Sequence, residues 1–87
     1  MKPILSPNIR IRHRGHFRVS TGVIVDDYCY FSTQVTLGKG SHIATGCSVA
    51  GGKRFHFRLG KYCSLSAGVR IWCASNDFVN DVAVILP

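Results

Sequence analysis

Bulky apolar residues recur at every sixth position from Val19 onward, through Val25, Phe31, Leu37, Ile43 and Val49. After an interruption the same beat resumes at Leu59, Leu65 and Ile71. The units between them read VSTGVI, VDDYCY, FSTQVT, LGKGSH, IATGCS and VAGGKR, then LGKYCS, LSAGVR and IWCASN. Two further columns keep the same phase. The fourth position is glycine at Gly22, Gly40, Gly46, Gly52 and Gly68, and the fifth is small at Val23, Cys29, Val35, Ser41, Cys47, Cys63, Val69 and Ser75.

One inward anchor per six residues, then a residue tolerant of positive φ, then a small residue, describes a short strand followed by a tight turn. Three such units close a triangular coil, and successive coils stack as parallel strands about 4.8 Å apart. A helix would instead need apolar residues at i, i+3, i+4 and i+7, which this stretch lacks. The pattern predicts an all-β fold, a parallel β-helix of about three to four coils forming one small solenoid domain. Residues 1–18 read as a partial coil that caps the N-terminal end, with Ile9, Ile11 and His13 alternating against Arg10, Arg12 and Arg14. Residues 19–76 carry the regular coils, with a corner insertion near 55–58, and residues 77–87 form a loop and a terminal strand.

The units LGKGSH, IATGCS and LGKYCS closely resemble the hexapeptide-repeat (transferase hexapeptide) family, and the resemblance extends over about 60 of the 87 residues. It implies a left-handed β-helix, an exception to the usual right-handed crossover rule. It also implies a trimeric acyltransferase that uses acetyl-CoA or another acyl-CoA, acts on a sugar hydroxyl or amine, and builds its active sites at clefts between subunits. In the sugar O-acetyltransferase branch a coil strand ends in a Ser-His-Asp-Tyr-like segment whose histidine is the general base. The matching residues here are Ser75, Asn76, Asp77 and Phe78, so an asparagine stands at the position of the base. Asn76 can orient a hydroxyl but has no titratable lone pair to accept its proton, whereas Asp77 could serve if burial beside Trp72 and Phe78 raised its pKa. The alternative for both is an Asx-type turn where the strand ends. In the sialic-acid and bacillosamine branch the catalytic His and the following Asp correspond to Thr33 and Gln34, and His42 falls on that motif's non-catalytic histidine. Coils that carry most of the acyl-CoA site in the family would follow the strand Val82 to Leu86, so the resemblance leads us to expect truncation together with self-association.

Charge alters this picture more than composition does. Eleven Lys and Arg against four Asp and Glu give a net charge of +7. The basic residues concentrate at Arg10 to Arg18 and at Lys53 to Lys61, and each stretch holds the same triplet, His16-Phe17-Arg18 and His56-Phe57-Arg58. Their separation equals two coils plus the interruption, which predicts equivalent positions two layers apart. Three readings stay open: a solvated face, a groove for an anionic ligand such as the phosphates of CoA or a nucleotide-sugar, and a stripe that tracks a nucleic-acid backbone. Insertions in a solenoid emerge at corners, and in the resembling family such loops help form the substrate cleft. Phe55, His56 and Arg58 are therefore candidate substrate-binding residues, with Trp72 a further candidate beside Asp77, while Phe57 can equally occupy the small-residue column as core. Asp26 and Asp27 are adjacent in an extended segment, so they point to opposite faces and do not converge on one substrate atom.

Cys29, Cys47 and Cys63 occupy the small fifth position, and no zinc-type spacing is present, so they read as structural residues and no metal is expected. The sequence has no apolar stretch long enough for a membrane span or a secretory signal, which makes a cytoplasmic protein the expectation. The functional expectations are therefore an acetyl-CoA-dependent acyltransferase, a non-catalytic self-associating scaffold, or a basic nucleic-acid-binding module.

Overall fold

In the computed structural model, which describes residues 1–74 and 82–86, the hexads wind into a β-solenoid of about three turns. The first face stacks β1 (Ile4–Leu5), β4 (Ile24–Val25), β6 (His42–Ile43) and β8 (Ser64–Leu65), all parallel. The second stacks β2 (Arg10–Ile11), the opening residues of β5 (Tyr30–Leu37) and β7 (Ser48–Leu59), and β9 (Arg70–Ala74). The third stacks β3 (Phe17–Val19) on the closing residues of β5, and those on the closing residues of β7. A last strand, β10 (Val82–Leu86), folds back antiparallel along β9 and ends the second face. Among the described residues there is no α-helix, only a 3-10 turn at Arg14–His16.

The hexad leaders superpose layer on layer. Val25 lies in register with Ile43, Phe31 with Val49, Val49 with Ile71, and Leu37 with Leu59. Phe31, Leu37, Ile43 and Val49 are all fully buried in one shared interior, joined by the fifth-position residues Val23, Cys29, Val35 and Cys47. Each such aliphatic or aromatic side chain contributes about 1.5–3 kcal/mol through burial, and a narrow prism can bury it only if every layer repeats the same inward positions. Residues 1–18 supply one strand to each face, so Leu5 and Ile11 extend the columns beneath Val25 and Phe31.

Two corners are built alike in every layer. Gly22, Gly40, Gly46 and Gly68 have φ between +68° and +75°, and Tyr28 (φ 65°) and Tyr62 (φ 56°) adopt the same left-handed turn with a side chain attached. That conformation costs a non-glycine residue roughly 1–2 kcal/mol. Backbone bonds between coils offset it. The amides of Gly22, Gly40 and Tyr62 donate to the carbonyls of Met1, Thr21 and Lys39 at one corner, and those of Tyr28, Gly46 and Gly68 to Asn8, Asp27 and Thr45 at the other, all within 2.8–3.0 Å.

The third corner varies. Val35 follows Phe17 by 18 residues in register, whereas Phe57 follows Val35 by 22. The register shifts twice, by one residue between Phe31, opposite Val49, and Thr33, opposite Gly52, and by three more between Thr33 and Gln34, opposite His56. One of the extra residues therefore lies between Val49 and Gly52 and the other three are Lys53 to Phe55, ahead of the 55–58 expected from sequence. Phe57 is buried in the core column over Val35, which settles the alternatives for that residue. The 40-residue offset of the two His-Phe-Arg triplets is also explained, because Phe17, Val35 and Phe57 form one column.

Three substitutions test this packing. A Cβ on Gly51 (φ +155°) would lie 1.9 Å from the carbonyl oxygen of Cys73 in the layer above, whereas one on Gly15 would meet nothing within 4 Å. Gly51→Ala is expected to lower the free energy of unfolding by roughly 3 kcal/mol in urea titration, and Gly15→Ala to change it by less than about 0.5 kcal/mol. The Ser41 hydroxyl is fully buried with no hydrogen-bond partner. Ser41→Ala should therefore raise stability by about 1 kcal/mol, because it removes an unpaired polar group without opening a large cavity.

Candidate functional site

Polar side chains gather in three places on the outside of the prism. On the first face, His42 from β6 reaches Asp26 at the end of β4 one layer below, with Nε2 at 2.8 Å from Oδ2. Because strand side chains alternate, Asp26 and His42 both point outward while Val25 and Ile43 point in. Both members are a little under half exposed, at 45% and 43% of their side-chain surface. An ionised carboxylate only accepts, so the pair holds the imidazole with its proton on Nε2 and leaves Nδ1 as the acceptor. Sequence reasoning treated His42 and Asp26 separately. The signal that joins them is their spacing of 16 residues, one coil less two, which places a sixth position diagonally across from a second position.

Asp27 faces the other way and serves the fold. Its carboxylate accepts from the Ser6 hydroxyl and from the Asn8 side-chain amide, and its carbonyl accepts from the Thr45 hydroxyl at 2.6 Å. One residue thereby ties three successive coils together. The two neighbouring carboxylates do not converge, in keeping with the alternation read from sequence.

The second gathering is the variable corner and the third face. Thr33, fully buried, donates its hydroxyl to the carbonyl of Phe55 at 2.6 Å, and the Gln34 side-chain amide donates to the carbonyl of Lys53 at 2.7 Å. These bonds pin the inserted residues against the coil below. They also give Thr33 and Gln34 a structural task at the positions where the sialic-acid branch keeps its catalytic pair. Beyond the corner, Thr36 Oγ1 lies 2.7 Å from His56 Nε2, and the outward column runs Arg18, Thr36, Arg58. Arg54 stacks over the ring of Phe55, its guanidinium carbon 5.9 Å from the ring centroid.

The third is an open hollow of about 560 Å³ at the β2 edge, lined by Arg10, Ile11, Arg12 and Tyr30. Two guanidiniums and a phenol give it a donor set suited to phosphate or carboxylate oxygens.

Of the residues singled out from sequence, His56 and Arg58 share the third face, while Trp72 stands half-exposed on the second face, outward from β9 beside Ala50. Trp72 is therefore separated from the other two by the variable corner. Asn76 and Asp77 lie outside the described residues, as does Phe78. Among the described residues, no three His, Cys, Asp or Glu side chains gather in the manner of a metal site, and no helix is long and apolar enough to cross a membrane.

The cysteines divide. Cys29 and Cys47 are buried and donate to the carbonyls of Ala44 and Ser66, at 3.2 and 3.0 Å, and Cys73 is buried as well. Cys63 is exposed although it occupies the same fifth position of its unit as Cys29 and Cys47. Burial pushes the Cys29 thiol above its ordinary range, so it stays protonated in the folded chain. The unfolded chain ionises first as pH rises, so this burial begins to cost stability above the ordinary thiol pKa and has no effect below it.

No family model matches the chain, and no curated protein or solved structure matches it. The hexapeptide resemblance therefore rests on the repeat columns and on the solenoid they form.

Thiol labelling tests the division of the cysteines. At neutral pH in native buffer a maleimide should modify Cys63 alone, with Cys29, Cys47 and Cys73 reacting only on denaturation, as read by intact mass.

Proposed function

We propose that this solenoid belongs to an acyl-CoA-dependent transferase that acetylates a sugar hydroxyl or amine, and that the Asp26–His42 pair is its general base. The observation that carries the reading is an outward imidazole oriented by a carboxylate on a prism built from six-residue units. Acetyl-CoA, when bound, supplies an acyl group already activated as a thioester. His42 takes the proton of the attacking hydroxyl on Nδ1 while Asp26 holds Nε2–H and stabilises the imidazolium. The same proton then passes to the departing thiol sulfur, so the residues end as they began. The hollow at Arg10, Arg12 and Tyr30 supports the reading from the donor side, because its guanidiniums suit the phosphate groups of an acyl-CoA. Asn76 and Asp77, at the position of the family's His-Asp, and Trp72, on the second face, would orient the acceptor. As in the resembling family, the assembly is a trimer whose subunit clefts complete the site.

A second reading is a non-catalytic scaffold. It is favoured by the way Asp27, Thr33, Gln34 and Thr45 spend their hydrogen bonds on holding coils together. Thiol release from acetyl-CoA in the presence of sugar acceptors separates the two. The enzyme reading expects turnover that falls by about a hundredfold or more in His42→Asn and less steeply in Asp26→Asn. Absence of turnover together with absence of acetyl-CoA binding by calorimetry would reject it and leave the scaffold, which predicts a stable trimer in sedimentation.

A further inference from the structure

We propose that the third face binds the phosphoryl group of a small phosphomonoester, held between Arg18 and Arg58 over the hydroxyl of Thr36. The duplicated His-Phe-Arg triplet builds this place. Register sets Arg18 beside Thr36 in one layer and Arg58 beside Thr36 in the next, so the two arginine backbones stand roughly 10 Å apart with Thr36 midway. Both arginines are exposed, and among the described residues the one ion pair is Asp26 with His42 on a different face. Asp26 and Asp27, the carboxylates among the described residues, lie in the segment that leads from the first face to the second, so no described acid answers these two cations.

Two like charges held in one column repel each other, and an anion between them removes that repulsion. A side chain as long as arginine reaches from its own layer to the space over Thr36, so the two forks approach a common ligand from opposite sides. Each fork engages two oxygens, which a tetrahedral phosphoryl group can supply in both directions and a flat carboxylate cannot. His56 completes the arrangement. With Nε2–H donated to Thr36 Oγ1 across their 2.7 Å contact, the hydroxyl proton is free to point at the ligand between the arginines. Gln34 and Thr33 fix the corner from which His56 descends, through their bonds to Lys53 and Phe55. The site is thus backed by ordered backbone, unlike a scatter of surface arginines. A nucleic acid would use one phosphate per arginine and engage Arg10, Arg12 and Arg70 on the second face as well; the paired geometry around one hydroxyl favours a single phosphoryl group.

The inference rests on the transferase reading only where it makes the ligand a phosphorylated acceptor. Binding itself is measured without an acyl donor, so failure of acyl transfer and failure of phosphate binding are told apart. The test is a titration of the isotopically labelled full chain with inorganic phosphate and with glucose 1-phosphate, followed by NMR in low-salt, phosphate-free buffer. Saturable shifts confined to Arg18, Thr36, His56 and Arg58 are expected. Arg18→Ala and Arg58→Ala should each weaken binding by about tenfold and Thr36→Val by about threefold, while Arg70→Ala changes it by less than about twofold. Shifts spread evenly over all arginines, no saturation, or equal weakening by Arg70→Ala would overturn the assignment. So would much tighter binding of a single-stranded oligonucleotide, with a salt dependence that reports several phosphates.

Discussion

The register of one coil on the next governs everything else in this molecule. Each layer donates backbone hydrogen bonds to its neighbour along the strands and again at the turns, where six amides reach carbonyls at 2.8–3.0 Å. A single layer has no core of its own, since its inward side chains become buried only when another layer lies above or below. Stacking therefore supplies both the polar and the apolar part of the stability, and neither survives a slip. A slip of one residue would turn Phe31, Leu37 and Ile43 outward and bring hydroxyls and arginines in.

That dependence explains how much could be read from the residues alone. The inward columns were legible because burial on three faces forces an apolar residue at a fixed interval, and Val, Ile, Leu and Phe at those places leave no other periodicity available. The left-handed turns were legible wherever glycine filled them. Tyr28 and Tyr62 were not, because a tyrosine at a positive φ gives no sign of itself in sequence; only the ladder of bonds from neighbouring coils holds it there. The exposure of Cys63 was hidden for a related reason. Its place in the repeat matches that of Cys29 and Cys47, and burial depends on which layers cover a position rather than on its phase.

The polar sites were less legible, and the physical cause is that they join residues from different coils. Asp26 with His42, Arg18 with Arg58, and Thr36 with His56 are each separated by 16 or more residues and become neighbours only through stacking. The repeated His-Phe-Arg triplet gave the offset, since two layers plus an insertion could be counted. Which hydroxyl lies between the arginines required the register itself. Thr33 and Gln34 show the converse. The resemblance set them at the positions of a catalytic His-Asp pair that they do not reproduce, and their bonds go to the carbonyls of an inserted corner.

The unequal third corner has a consequence for how the chain finds its structure. A perfectly periodic polypeptide could stack any coil on any other, and misaligned intermediates differing by whole turns would be nearly degenerate in energy. The additional residues at Lys53 to Phe55, and the shorter detour through Arg14–His16 at the same corner two layers away, give each coil its own perimeter. A slip by a whole turn would set each of these corners against the wrong neighbour, so irregularity at this edge acts as a key to which turn lies on which.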